Sequence, residues 1–297
     1  MEAAATAARD YRVGFGLTLL GVVLITPDAL IVRLIATDPW TMVFWRGILI
    51  STAFMTYMCV RIGPAAVLDG LRSSGRPGIA AIFCHSVTAV GFMLALSMTS
   101  VANTLVLLAA SPLFAALMSW IFLKERVPAI TWVAILAGIC GIAIVVSEGF
   151  LADGSGNLHG DLIALMSSVS LAATLVLARR RKDINMVPNL ALGGYLAAAI
   201  SVPFAAPFAL TGDQALLVFF LCAILLPTAF SLIITGPRRL PAAEVSLLLL
   251  LESVIGPIWA WLFIGEEPGR NALIGGGIVI GALTLHGLWN LHRRRTA

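Results

Sequence analysis

Long apolar runs recur from one end of this chain to the other, and they constrain its fold more than any other feature. A helix needs roughly 20 apolar residues to cross the hydrocarbon core of a bilayer. Ten stretches come near that length, and we number them spans 1 to 10: about 14–36, 41–60, 77–98, 102–122, 129–147, 160–178, 189–210, 214–236, 242–263 and 271–289. The sequence therefore predicts an all-α integral membrane protein with ten transmembrane helices.

The composition agrees with a lipid environment. Hydrophobic residues make up 60% of the chain and charged residues 11%, whereas soluble domains carry roughly 25% charged residues. A soluble fold of this length has no means of hiding so much apolar surface. The net charge of +4 is spread over short clusters between the apolar runs, so we expect no nucleic-acid partner.

The basic residues divide unevenly between the two faces that ten crossings define. With the N-terminus placed inside, every Lys and Arg except Arg33, Arg46 and Arg270 falls on the inner face. An excess of Lys and Arg marks cytoplasmic loops. We therefore predict cytoplasmic N- and C-termini in a multi-pass protein of the bacterial inner (plasma) membrane, surrounded by membrane lipid.

A Gly-rich segment near mid-chain predicts two halves. Five spans precede it and five follow, so a repeat of the first half would cross the membrane in the opposite direction. We predict a first five-helix repeat at 1–147, a periplasmic linker at 148–159 and a second five-helix repeat at 160–297.

A short motif supports this repeat. Trp-x-Phe-x-x-Glu ends span 4 at 120–125 and span 9 at 261–266. Inverted repeats are typical of secondary transporters, whose substrate sites lie near the midplane where the halves meet. The closing acids, Glu125 and Glu266, stand beside Arg126 and Arg270, so local salt bridges or loop capping are their simplest interpretation.

Two charged residues lie within the first two spans, Asp28 roughly 13 Å and Arg46 about 8 Å from the outer end at 1.5 Å per residue. Inserting a charged residue at the centre of a transmembrane helix costs about 2.5–3.5 kcal/mol. The presence of Asp28 and Arg46 inside spans therefore calls for an explanation. One hypothesis is a structural ion pair that pins spans 1 and 2. The other is a binding element, with Asp28 for a substrate amine and Arg46 for a carboxylate. Arg33 lies shallower and is expected to extend to the outer headgroups.

Glu252 lies close to the middle of span 9, and its repeat partner in span 4 is Ser111. A midplane carboxylate would bind an amine or carry a coupling proton; the alternative is a hydrogen bond to a neighbouring helix and no part in transport. His85 in span 3 is a further candidate, although buried neutral histidines bonded to a carbonyl are common. Helix-breaking prolines are expected near the cavity at Pro27, Pro112, Pro227 and Pro257.

Several segments together resemble a known family. They are LLAASPLFAALMSWIFLKERV at 107–127, LLLLLESVIGPIWAWLFIGEEP at 247–268, FWRG at 44–47 and GDLIAL at 160–165. They are similar to the helix signatures of EamA-type ten-helix members of the drug/metabolite transporter superfamily. Lys124 and Ser253 depart from that pattern, at positions where the family commonly has Gly and Pro.

The resemblance implies a transporter that works by alternating access, with a cavity lined by spans 1, 3, 4, 6, 8 and 9. It implies export of amino acids, aromatic ones favoured, or of related small metabolites. A proton-coupled carrier of drugs or other metabolites, and an importer, remain as alternatives. Ten spans suffice for a complete cavity in one chain, which favours a monomer.

Other classes are disfavoured by the motifs. The chain has no HExxH, no paired acidic DxxD motifs and no Gly-x-Ser-x-Gly elbow, and its cytoplasmic loops are too short for a catalytic domain. We therefore expect no enzyme. A channel would need a charged ring or filter sequence, and a nucleotide-driven pump a phosphate-binding loop. The four cysteines have no metal-ligand spacing, so neither a cofactor nor a metal is expected.

Overall fold

A computed structural model describes residues 2–124, 128–151, 158–180, 184–235 and 242–296 of the chain. Within these ranges every regular element is a helix. The helices are Glu2–Ile25 with Asp28–Ile35 (span 1), Pro39–Ile62 (span 2), Pro64–Met98 (span 3), Val101–Ala109 with Ser111–Leu123 (span 4), Ala129–Leu151 (span 5), Leu158–Arg180 (span 6), Val187–Ser201 (span 7), Gly212–Phe219 with Phe220–Leu225 and Leu226–Thr235 (span 8), Ala242–Ile264 (span 9) and Arg270–Thr296 (span 10).

In the described part of the chain, nine of these spans are long and apolar enough to cross a membrane, and span 7 is a tenth, shorter apolar helix. The molecule is therefore an all-helical integral membrane protein. Span 7 was predicted to reach residue 210, but its helix of 15 residues ends at Ser201. Pro203 and Pro207 follow, and a proline has no backbone N–H with which to continue the helical hydrogen bonds. The connection packs on span 2 instead, where the Trp45 Nε1–H donates to the Pro207 carbonyl at 3.1 Å.

The ten predicted spans leave residues 61–76 outside any transmembrane helix, but most of this segment is helical. The helix begins at Pro64, where a proline fits the first turn, and kinks sharply at Gly75 (φ 57°, ψ −148°). A positive φ costs glycine little. Val67 is buried whereas Asp69 and Arg72 are exposed, so this short amphipathic helix lies at one end of the bundle.

Three spans are interrupted inside the bundle. Span 1 breaks at Thr26 and Pro27, and span 4 breaks at Ala110, just before Pro112. Span 8 contains a π-helix at Phe220–Leu225, followed by Pro227. Proline lacks the N–H that would bond the preceding turn, and membrane helices tolerate such breaks where neighbouring groups compensate.

Pro257 does not interrupt span 9, contrary to the prediction. The helix runs through it from Ala242 to Ile264. A mid-helix proline removes one backbone hydrogen bond, but the helix of span 9 continues through Pro257 without interruption.

Close backbone contacts join pairs of spans. A Cβ on Gly47 would lie 2.5 Å from the Gly194 carbonyl oxygen, and a Cβ on Gly141 would lie 2.7 Å from that of Gly275. Spans 2 and 7, and spans 5 and 10, therefore touch along their backbones. Small residues at membrane helix interfaces permit such approach.

The connections gather at two opposite ends. At one end the turn after span 3 meets the end of span 1, where an Arg33 Nη2–H donates to the Thr99 carbonyl at 2.7 Å. The start of span 8 joins them, because Gln214 donates to the Ile35 carbonyl at 2.9 Å. We call this the predicted outer end, because the charge distribution assigns it to the outside.

At the opposite end, Thr131 at the start of span 5 bonds His286 in span 10 at 2.8 Å. Asn189 at the start of span 7 donates to Ser74 at 3.0 Å, at the kink before span 3. This is the predicted inner end. The chain thus alternates between two ends, as membrane crossings require.

Candidate binding cavity

A cavity of about 360 Å³ lies inside the bundle. Its wall is largely apolar and includes Phe54, Phe92, Leu171, Leu190 and Phe230. Ligand cavities combine such walls with a few placed polar groups. The polar side chains in this wall are Asp28, Arg46, Ser51, His85, Thr88 and Glu252.

Spans 2 and 7 line the cavity, which differs from the lining implied by the family resemblance. Span 2 contributes Val43, Arg46, Ile50 and Phe54, which recur at helical spacing on one face. Span 7 contributes Val187, Leu190, Ala191 and Gly194 in the same way. The close Gly47–Gly194 approach brings these two faces to the cavity beside spans 1, 3, 4, 6, 8 and 9.

Asp28 and Arg46 are brought together by the interruption in span 1. Asp28 begins the second segment of that span directly after Pro27, and a helix N-terminus favours a carboxylate. The Arg46 Nη1 and Nη2 atoms donate to the two Asp28 carboxylate oxygens at 2.6 and 2.7 Å. The side chains are 14% and 3% exposed. Bidentate pairs of this kind are the stronger ion pairs.

The Arg46 guanidinium also lies over the Phe92 ring, 5.5 Å from its centroid. A cation over an aromatic face is attracted by the ring's charge distribution. The arginine is thus held from spans 1 and 3 together. Its charge is already neutralised by Asp28 before any solute enters.

Glu252 is placed differently. It lines the cavity from span 9, and among the described residues no ion pair or side-chain hydrogen bond reaches its carboxyl group. With both acids ionised, Asp28, Arg46 and Glu252 together give the cavity a net charge of −1. A membrane-embedded acid without a fixed partner is a functional-site hypothesis by default.

Span 9 also contacts span 1 where its helix is interrupted, at Thr26. The Trp259 indole N–H donates to the Thr26 hydroxyl at 3.0 Å. Gly256 lies between Glu252 and Trp259 on the same helix face, and a Cβ on Gly256 would lie 3.6 Å from the Thr26 carbonyl oxygen. This face of span 9 therefore fixes the residues that immediately precede Asp28.

His85 lines the cavity from span 3 and packs on span 7, where a Cβ on Gly193 would lie 2.9 Å from the His85 Cβ. Thr88, one turn further, donates to the Cys84 carbonyl at 3.0 Å and also faces the cavity. The structure therefore places Asp28, Arg46, His85 and Glu252 around one space. Thr88 and Ser51 were missed, because small hydroxyl residues in apolar helices carry no distinctive pattern.

Ser111 and the four prolines lie outside the lining. Ser111 is buried at the first residue of the second segment of span 4, and Leu108, three residues earlier, faces the cavity instead. The interruption at Ala110 turns Ser111 away. In the described residues, no group of three His, Cys, Asp or Glu side chains is arranged to hold a metal ion.

Apolar helices around a cavity with three charged side chains define an integral membrane protein with an internal chamber. A family model of the EamA-like transporter family matches residues 12–147 and 158–287. The chain belongs to this family of membrane transporters, within the drug/metabolite transporter superfamily.

Relatives carry the same general description. An uncharacterized transporter of Archaeoglobus fulgidus is 26% identical over 257 residues, 82% of this chain and 89% of that protein. One of Bacillus subtilis is 24% identical over 183 residues. That match takes in 60% of this chain and spans 59% of the Bacillus protein, less than two thirds of its length.

A further transporter, of Clostridium kluyveri, is 22% identical over 218 residues, 68% of each chain. A protein of known crystal structure is 18% identical and superposes with a TM-score of 0.63 over 93% of this chain and 97% of its own. At that identity the likeness shows the fold alone.

Proposed function

We propose that this protein carries small amine-bearing metabolites across the membrane by alternating access. Amino acids with apolar or aromatic side chains are its leading substrates, and export is the favoured direction. The unpaired carboxyl group of Glu252, in a cavity whose only cation among the described lining residues is neutralised by Asp28, is the observation that carries the proposal.

The charges favour an amine. An incoming ammonium group would give Glu252 the opposite charge that it lacks. An apolar or aromatic body would pack on Phe54, Phe92 and Phe230, which line the same space. A substrate carboxylate would approach Arg46, whose remaining N–H groups are not used by Asp28. A zwitterion with an apolar side chain matches all three features.

Two inverted halves, 1–147 and 160–297, are part of the proposal. The family model matches the chain twice, at 12–147 and at 158–287. Three spans of the first half pack against their own repeat counterparts in the second half: span 2 on span 7, span 4 on span 9 and span 5 on span 10. Span 3 packs on span 6, and its counterpart, span 8, packs on span 1, the counterpart of span 6. Such reciprocity is expected when two similar units face each other across a cavity.

Export is the direction that the family resemblance implies, and the cavity reaches the end from which an exported solute would load. Its wall includes Val187, the first residue of the span 7 helix, and Phe54. These residues lie toward the predicted inner end, from which a solute would load. With cytoplasmic termini and an inner-membrane location, loading from that end would be loading from the cytoplasm.

A second candidate is proton-coupled transport of a cationic, drug-like amine. The charge of Glu252 favours it, because either a proton or an ammonium group would neutralise the ionised carboxylate, so that one would be exchanged for the other. Such a substrate needs no carboxylate, so the two candidates differ in what Arg46 does.

A flux screen in liposomes tests the proposal. Amino acids with apolar side chains, the corresponding decarboxylated amines and acidic metabolites would be compared with and without a pH gradient. Saturable flux of the amino acids supports the first candidate, and flux of the amines driven by the pH gradient supports the second. Selective flux of acidic metabolites would overturn the assignment of Glu252 as the amine site.

A further inference from the structure

Spans 1, 3, 4 and 6 and the connection after span 9 meet in one cluster of polar contacts at the predicted outer end. At its centre is the turn between spans 3 and 4, at Thr99 and Ser100. Arg33 reaches this turn from span 1, Asp161 from span 6 and Glu266 from the connection after span 9. The cluster therefore ties both proposed halves together above the cavity.

Glu266 makes two contacts across the halves. Its Oε1 accepts a hydrogen bond of 2.6 Å from the Val101 backbone N–H, which satisfies one of the free donors at the start of span 4. Its Oε2 lies 3.5 Å from the Arg33 Nε. Sequence proximity favoured Arg270 as the partner of Glu266, but Arg33 is the partner instead.

The ion pair of Arg33 with Glu266 is loose. Arg33 donates a hydrogen bond from Nη2 to the Thr99 carbonyl at 2.7 Å, but its buried Nε has no hydrogen-bond partner among the described residues. The two side chains are 29% and 24% exposed. Water can therefore take over both groups when they separate, so little free energy is needed to part them.

Asp161 holds the same turn more firmly. Its Oδ1 accepts hydrogen bonds from the Thr99 hydroxyl at 2.6 Å and from the Asn103 amide at 3.0 Å. The residue is fully buried, and Gly160 beside it has no room for a Cβ against Met98 and Thr99. The turn is therefore fixed on span 6, and Glu266 with Arg33 is the side that can open.

We infer that Glu266 and Arg33 form a breakable latch that closes the predicted outer end of the cavity. The inference rests on the proposed alternating access. The latch is closed in this structure, whose cavity extends toward the predicted inner end. When the cavity opens toward the outside, Glu266 separates from Val101 and Arg33. Asp161 still holds the turn between spans 3 and 4 on span 6.

Side-specific labelling of a cavity residue tests the latch without a known substrate. Ala89 lines the cavity and is partly exposed, so Ala89→Cys is introduced into a variant whose four native cysteines are replaced by alanine. A membrane-impermeant maleimide is applied to right-side-out and inside-out vesicles. The measured quantity is the ratio of the labelling rates from the two faces.

Glu266→Ala should raise the rate from the predicted outer face by about tenfold, the change expected when one hydrogen bond to a charged group is lost from one of two conformations. Glu266→Gln keeps an acceptor for Val101 and loses the charge, so its increase should be smaller. Arg33→Gln should resemble Glu266→Gln. Glu267→Ala is the matched control, because Glu267 is the exposed neighbour and should leave the ratio unchanged.

Equal ratios for Glu266→Ala, Arg33→Gln and the unsubstituted reporter, with all proteins monodisperse on size exclusion, would overturn the latch. An equal increase for Glu267→Ala would overturn it too. These results leave the proposed function standing if the reporter is labelled from both faces. Labelling from one face only in every variant, including the latch variants, would overturn the latch and alternating access together.

Discussion

Arg46 of span 2 and Asp28 of span 1 are joined by two hydrogen bonds of 2.6 and 2.7 Å inside the cavity wall. The pair exists because the break at Pro27 presents Asp28 at a helix N-terminus, and Phe92 supports the guanidinium from span 3. In this conformation the pair joins spans 1 and 2. A solute that competes for Arg46 would have to do so beside Asp28.

Removing one partner should destabilise the protein. Asp28→Ala leaves a nearly buried guanidinium without a counter-charge, a change that costs roughly 3–5 kcal/mol in buried pairs. The melting temperature in detergent should fall accordingly, and the double variant Asp28→Ala with Arg46→Met should recover most of the loss. A melting temperature of Asp28→Ala equal to wild type would show that the pair does not hold spans 1 and 2.

Glu252→Gln should abolish most transport and leave folding intact. The substitution preserves shape and removes the charge that is expected to meet the substrate amine. Flux in liposomes should fall by about tenfold or more, the loss expected for one charge-assisted hydrogen bond, with an unchanged melting temperature. Glu267→Gln makes the same chemical change at an exposed position and should keep full flux. Wild-type flux in Glu252→Gln would remove this residue from the site.

The contact between spans 2 and 7 makes a prediction about glycine. A Cβ on Gly47 would meet the Gly194 carbonyl oxygen at 2.5 Å, and backbone atoms cannot move aside as a side chain can. Gly47→Ala should cost about 1–3 kcal/mol through overpacking, measured by thermal unfolding. Gly277→Ala is the control, since a Cβ at Gly277 meets nothing within 4 Å. This substitution should leave the free energy of unfolding unchanged or raise it slightly. Equal stability of both variants would contradict the close approach.

The indole N–H group of Trp259 should contribute both to stability and to transport kinetics. Trp259→Phe keeps a ring in place but loses the 3.0 Å hydrogen bond to Thr26, at a cost of about 1 kcal/mol. Because Thr26 precedes the break that positions Asp28, the Michaelis constant for transport should rise more than the maximal rate falls. Trp261→Phe, on the exposed side of the same helix, should leave both unchanged. Identical kinetics of the two variants would argue against a positioning role.

Much of the architecture could be predicted from the sequence because apolar length dominates it. The ends of spans were harder. Span 7 stops at Ser201, and two prolines follow. The helix from Pro64 to the Gly75 kink was missed because Asp69, Arg72, Ser73 and Ser74 interrupt its apolar residues. Both errors come from local backbone chemistry that hydropathy does not register.

The cavity could be predicted only in part. Asp28, Arg46, His85 and Glu252 stand out because charged or titratable groups are costly in apolar helices. The contribution of spans 2 and 7 depends on the Gly47–Gly194 approach, which a single sequence does not reveal. Ser111 was chosen by its repeat register, and the interruption at Ala110 turns it from the cavity. The latch partner of Glu266 is likewise distant in sequence.

Counterflow in liposomes tests the central claim most directly. Vesicles are loaded with an unlabelled apolar or aromatic amino acid, and uptake of a trace of the labelled compound from outside is followed. A carrier whose one cavity faces the two sides in turn should accumulate label transiently above its equilibrium level, and Glu252→Gln should not. Uptake that rises only to equilibrium, unaffected by the internal load and equal in Glu252→Gln, would contradict the account.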